Sequence, residues 1–270
     1  TGLNMSYPIG NAGKPWQQSE KQQWFEMQTV KRSYYDEVVT KIEKLTQQLV
    51  EIISCEQYGA LSIDESRYPL FLFKSKNWSN ERATILVTGG VHGYETSGVQ
   101  GSLLFVEHYL ADLASDFNFV IAPCISPWGF ETINRWNPKA IDPNRSFYTD
   151  SPSEEARDAI EQKTWNIPDG FYGVGDSNNP QPEFQKSIID SVKKVTHIAE
   201  ADDDGRLIGV PFEQQGVINY DKKKLFLCGG FTSAEYVSTT EVYPDSDKVD
   251  EDNCNLAQVA AIMGGVEYIK

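Results

Sequence analysis

The chain has 270 residues, 40% hydrophobic and 23% charged, which suits a globular protein with room for one large domain. Its 24 basic and 39 acidic residues give a formal net charge of -15. That argues against general nucleic-acid binding, where clustered cations must meet phosphates, and against docking on an anionic membrane surface.

An irregular arm carrying Gly2, Pro8, Gly10, Gly13 and Pro15 comes first. A long helix is predicted over 19–53. Ser19 and Gln22 have capping-box spacing, and Val38, Ile42, Leu45, Leu49 and Ile52 recur every three or four residues along one face. Strand-like runs follow at 70–73, 85–88 and 119–122. Between the last two, Val99, Leu103, Val106, Leu110 and Leu113 mark a second helix. Further strands are predicted at 192–199, 225–227 and 236–242. This alternation predicts an α/β fold: a mixed, mostly parallel twisted sheet with helices on both faces. Neither a repeat nor a linker interrupts the chain, so a single domain over 1–270 is expected, with an N-terminal helical arm over about residues 1–55. The acidic runs 202–204 and 245–252 read as solvated loops, without the spacing of an EF-hand.

Cys55, Cys124, Cys228 and Cys254 form no C-x-x-C pair, which excludes a zinc ribbon and suggests reduced thiols in a cytoplasmic protein. No apolar run reaches the length of a membrane-spanning helix. The first residues show no basic segment followed by an apolar one, so no signal peptide is expected.

The chemistry concentrates in three stretches. Thr88-Gly-Gly-Val-His-Gly-Tyr-Glu-Thr96 lies between a predicted strand and a predicted helix, where α/β sheets build sites. His92 and Glu95 are three apart, so one turn can aim both inward. An imidazole and a carboxylate suit Zn²⁺. Next come Ser126-Pro-Trp-Gly-Phe130, Asn134-Arg-Trp-Asn137 and Asp142-Pro-Asn-Arg-Ser-Phe147. Arg135 and Arg145, ten apart in a Pro- and Asn-rich loop, look like binders of carboxylates and oxyanions. The third stretch is Thr239-Thr-Glu-Val-Tyr-Pro244, which puts Glu241 on a late strand.

In that order these motifs resemble the zinc carboxypeptidases of the carboxypeptidase A superfamily, and also their amidoacylase branch, which includes aspartoacylase and succinylglutamate desuccinylase. The resemblance covers 85–147 well and 192–244 loosely. It implies one zinc ion held by His92 and Glu95, with His197 in the place of the third ligand. It also implies Arg135 polarising the scissile carbonyl, Asn144 and Arg145 gripping the substrate's terminal carboxylate, and Glu241 as general base. Tyr220, 21 residues before Glu241, would stand for the family's mobile tyrosine. Zinc with one open position can bring the pKa of a bound water to about 7.

The resemblance implies hydrolysis of an amide bond beside a free carboxylate, with release of a C-terminal residue from a peptide as the leading form. Deacylation of an N-acyl amino acid is the alternative. The sequence departs from the family in two places. The aliphatic-Asp-Leu-His-Glu run that commonly carries the third ligand does not occur, and Tyr94 stands where carboxypeptidases often have an arginine. A metal-free binding protein descended from such an enzyme is therefore a second alternative. His108 is expected on a solvated helix face, and Trp128 and Trp136 in packing around the arginine loop.

Overall fold

The computed structural model describes residues 8–11, 13–147 and 167–270. Helix α1 (Gln18–Glu26) begins where the Gln17 N–H donates to the Glu20 carboxylate at 2.9 Å, two residues earlier than the Ser19 start expected from sequence. The single helix expected over 19–53 is divided. After α1 the chain runs irregularly to a π-helical turn, Tyr35–Val39, and then α2 (Thr40–Gln48). Tertiary bonds explain the break. Lys31 N–H donates to Glu131 O at 2.8 Å, and Tyr34 N–H to the Glu131 carboxylate at 2.8 Å. Arg32 donates to Gly93 O at 3.0 Å and lies 4.1 Å over the Phe130 ring. The Lys31 and Tyr34 bonds take backbone donors that a continuous helix would have used, and the Arg32 side chain anchors the segment to α5. The apolar face survives the break: Val38, Val39, Ile42 and Leu45 are all buried.

The first sheet has the order β1-β2-β4-β3. Strands β1 (Ile53–Ala60) and β2 (Pro69–Ser75) form an antiparallel hairpin. Strand β4 (Asn118–Ala122) lies antiparallel to β2 and parallel to β3 (Thr84–Thr88). The crossover from β3 to β4 is α3 (Ser97–Phe105), continued through a π-helical turn at Val106–Leu110 into α4 (Ala111–Leu113). Phe73, Phe105, Phe119 and Ile121 are buried where this crossover meets the sheet. Each contributes about 1.5–3 kcal/mol by leaving water. Helix α5 (Pro127–Thr132) follows β4, with Pro127 at its first turn.

A second sheet has the order β8-β5-β9. Strand β5 (Tyr172–Asp176) runs parallel to β8 (Val217–Tyr220) and antiparallel to β9 (Thr239–Glu241). A small hairpin joins β6 (Arg206–Leu207) to β7 (Val210–Pro211) through Ile208 and Gly209, both at positive φ. Helices α6 (Pro182–Lys193) and α7 (Glu251–Ile269) complete the chain. Helix α7 starts at Asp250, whose carboxylate accepts from Asn253 N–H at 2.7 Å. It links the sheets. Gln258 on α7 meets both Thr240 of β9 and Ser97 of α3, and Ser187 of α6 donates to Gly264 O at 2.7 Å.

The α/β class stands, but parallel pairing does not predominate. Of the six strand pairings among the described residues, four are antiparallel and two parallel. Residues 53–75 form a hairpin, which needs no crossover, and β9 returns against β5. Two predicted strands are absent. Residues 192–199 start in the last turn of α6 and reach only a single parallel bridge, Ile198 to Phe171, and 225–227 form a turn with Phe226 at positive φ. The arm packs into the core: Trp24 meets Trp128 and Trp136 edge-on, with ring centres 5.9 and 6.3 Å apart. Among the described residues, no helix is long and apolar enough to cross a membrane.

Candidate functional site

The turn after β3 carries His92 and Glu95. Gly90 takes φ +65°, and at Gly93 a Cβ would fall 2.0 Å from the Gly129 carbonyl carbon, so the turn can press against α5 only with glycine there. Tyr94 N–H donates to Asn134 O at 3.0 Å, tying this turn to the arginine loop.

Asp142 organises the site and is fully buried. It accepts from His92 Nε2 at 2.9 Å, from Arg135 Nε and Nη2 at 3.0 and 2.8 Å, and from Asn144 N–H at 2.8 Å. Burial alone would raise its carboxyl, but the His92 bond and the charges of His92, Arg135 and Arg145 hold it far below the usual range. The ionised carboxylate only accepts, so Nε2 carries the proton and Nδ1 turns toward Glu95 Oε1, 3.6 Å away. Burial opposes the imidazolium, yet Asp142 and Glu95 outweigh it and raise the His92 pKa. Burial also works against ionised Glu95; His92, Arg135 and Tyr94 prevail and lower its pKa.

Glu241 ends β9 opposite Tyr172. It keeps partial solvent access. Burial first, and then the nearby Glu95 charge, push its carboxyl up to about 7, against the pull of His92, Arg135 and Arg145. These mutual effects place Glu241 with His92, Glu95 and both arginines. Tyr220 joins them: burial raises its hydroxyl pKa, with Arg145 and Glu241 as its charged neighbours. Tyr94, stacked on His92 with ring centres 6.2 Å apart, and Tyr172 also lie in this field. Asn144 Oδ1 accepts from Cys228 N–H at 3.0 Å, which docks the late loop on the grip.

The structure sets His197 apart. Its carbonyl accepts from Phe171 N–H, on the side of β5 that faces β8; Glu241 pairs on the other side. Its Nε2 lies 2.8 Å from Asp169 Oδ1. His108, with a side chain 59% exposed, is on the solvated helix face expected of it. Among the described residues, no group of three or more His, Cys, Asp or Glu side chains is placed to hold a metal ion. His92 Nδ1 and the Glu95 carboxylate are donors of the right kind, but with His197 elsewhere these residues do not make the three-ligand set of a zinc centre.

Sequence reasoning quoted Asp142 in its motif without giving it a role; the signal was an acid two residues before the Asn-Arg pair. It missed Lys222 altogether. This lysine is fully buried and donates to Thr239 Oγ1 at 3.0 Å, two residues before Glu241. Burial pushes its pKa down to about 8.

Residues 70–166 match a family described as a protein of unknown function, DUF2817. No curated protein matches the sequence. A proposed metallopeptidase from Shewanella amazonensis is 21% identical, with TM-score 0.65 over 85% of this chain and 91% of that one. A metallo-carboxypeptidase from Burkholderia cenocepacia is 14% identical, with TM-score 0.57 over 86% of this chain and 68% of that one. The Pseudomonas aeruginosa metallo-carboxypeptidase in complex with (2-guanidinoethylmercapto)succinic acid is 13% identical, with TM-score 0.55 over 84% and 68%. The chain thus has the zinc carboxypeptidase-like fold.

Proposed function

We propose that the chain is a carboxypeptidase-type hydrolase of amide bonds beside a free carboxylate, acting on peptides or, with the same residues, on N-acyl amino acids. The observation that carries this is the convergence of Glu241, with its carboxyl at about 7, upon Arg135, Arg145, Glu95 and His92. Asn144 and Arg145 would take the terminal carboxylate, with charge-assisted hydrogen bonds. Arg135, aimed by Asp142, would donate to the carbonyl oxygen as it gains charge. Glu241, about half ionised near neutral pH, is suited to accept a proton from water and return it to the leaving amine. Tyr220, beside Arg145 and Glu241, would line the same end of the site. The ligand set is incomplete among the described residues, so no step is assigned to zinc.

One observation favours a second reading, a binding protein without turnover: His197 is held by Asp169 and completes no metal-ligand group with His92 and Glu95 among the described residues. Amino-acid release from an N-acylated dipeptide, its C-terminal amide and an N-acyl amino acid separates these readings. Hydrolysis is expected for the free acids, with the amide slower by about a hundredfold because it loses a charge-assisted grip. Equal rates on acid and amide would overturn the assignment of Asn144 and Arg145. Binding of the free acid without release would favour the second reading.

A further inference from the structure

Lys222 is a buried charge beside the site to which the reading above gives no part. Its ammonium donates to Thr239 Oγ1 at 3.0 Å, on the strand that ends in Glu241. The Asp176 carboxylate at the end of β5, itself buried, favours the charged form against the cost of burial. The turn Cys228–Gly230 folds over this side chain. Leu227 N–H donates to Lys222 O at 3.0 Å. A Cβ at Gly229 would fall 2.7 Å from Lys222 Nζ, and 2.9 Å from both its Cδ and Thr239 Oγ1. One at Gly230 would fall 2.7 Å from the Lys222 carbonyl carbon and oxygen. Two glycines therefore let the turn lie directly on the lysine.

On its other side the turn meets the site. Cys228 N–H donates to Asn144 Oδ1 at 3.0 Å, and Cys228 Sγ lies 3.6 Å from Thr88 Oγ1 at the end of β3. The bond to Asn144 fixes the sense of its amide. A backbone N–H can only donate, so the end that faces Cys228 is Oδ1, and Nδ2 points away from the turn. The backbone of Asn144 is set separately, by its own N–H on Asp142 at 2.8 Å. Asp142 thus places the residue, and the turn decides which end of the amide a ligand meets. A carboxylate needs donors; an amide rotated by half a turn would offer it an oxygen instead.

We propose that Lys222 is a positioning residue for free-carboxylate selectivity: through the Cys228–Gly230 turn it holds Asn144 with Nδ2 toward the terminal carboxylate of the ligand. The ammonium anchors the turn on Thr239, and Cys228 carries the constraint to the grip. A neutral side chain of the same length would leave the turn without that anchor and the Asn144 amide free to rotate. Selectivity for acid over amide would then fall, while the ligand's apolar contacts would not change. This rests on the carboxylate grip of the preceding section, with or without turnover.

The test is fluorescence-polarisation binding of dye-labelled Gly-Phe-Phe and its C-terminal amide to the full chain, in the Glu241→Gln background so that the ligand survives. Lys222→Met keeps the length and removes the ammonium. Gly229→Ala keeps the ammonium but wedges a methyl group between it and the turn. Each is expected to weaken the free acid about tenfold, the worth of one charge-assisted hydrogen bond, and to leave the amide unchanged. Should Lys222→Met misfold, Gly229→Ala decides. Equal weakening of acid and amide, or no weakening of either, overturns the role of Lys222 and leaves the grip standing. Acid and amide bound alike before either substitution overturn the grip, and the role of Lys222 with it. No binding of either ligand overturns both.

Discussion

Glu241→Gln isolates the electrostatics of the site. The Glu241 carboxyl moves from an ordinary 4.5 to about 7, chiefly by burial and then by Glu95. A raised acid pKa means that the folded protein keeps a proton the unfolded chain has already released. Wild-type stability must therefore fall as pH rises from about 4.5 through about 7, and then level off. At about 1.4 kcal/mol per pH unit the ceiling is about 3 kcal/mol, and partial solvent access brings the expected figure to about 2 kcal/mol. Glutamine has no such titration. In urea unfolding from pH 4 to pH 8, the stability of the variant relative to wild type should therefore climb by about 2 kcal/mol, most of it between pH 4.5 and 7. In a turnover assay the wild-type rate should rise with pH through about 7, as the base loses its proton, and the variant should be inactive. A stability difference that stays level across this range would refute the raised carboxyl of Glu241 and the burial that causes it.

Asp142→Asn leaves Arg135 and His92 without their buried partner and should cost about 3–5 kcal/mol near neutral pH by urea unfolding. The contribution of this depressed carboxyl is present above about 3.8 and is lost as pH falls toward its folded value, so the penalty should shrink in strong acid. The His92 contribution has the opposite sense: full below about 6.5, it is lost as pH rises through the raised folded value. Glu131→Gln weakens the buried acceptor shared by Tyr34 N–H, Arg67 and the Tyr68 hydroxyl, and should cost about 2–4 kcal/mol by the same measurement. His197→Ala should leave peptide binding and any turnover at wild-type levels; a large loss of either would return His197 to the site.

How far the sequence could be read depended on whether a segment's partners are local. His92 and Glu95 sit in a glycine turn after a strand, and Asp142, Asn144 and Arg145 within four residues, so spacing along the chain translated directly into geometry. Val38, Ile42 and Leu45 kept their helical face for the same reason. The break after α1 was not legible, because its cause is α5, about a hundred residues away, which captures Lys31, Arg32 and Tyr34. The run 192–199 was rich in β-branched residues, yet Val192 is buried on the apolar face of α6, where packing overrides strand propensity. Lys222 carried no signal at all: nothing in Asp-Lys-Lys-Lys marks the first lysine as the buried one.

His197 shows what ordered motifs alone leave undecided. Its position in the chain suited a ligand, but a ligand's side chain must also point at the site. Phe171 hands its N–H to the His197 carbonyl on the edge of β5 that pairs with β8, which fixes the backbone there but not the imidazole. Its imidazole bonds Asp169 at 2.8 Å and lines a cavity with Val242 and Tyr243, close to the end of β9 yet joined to neither His92 nor Glu95.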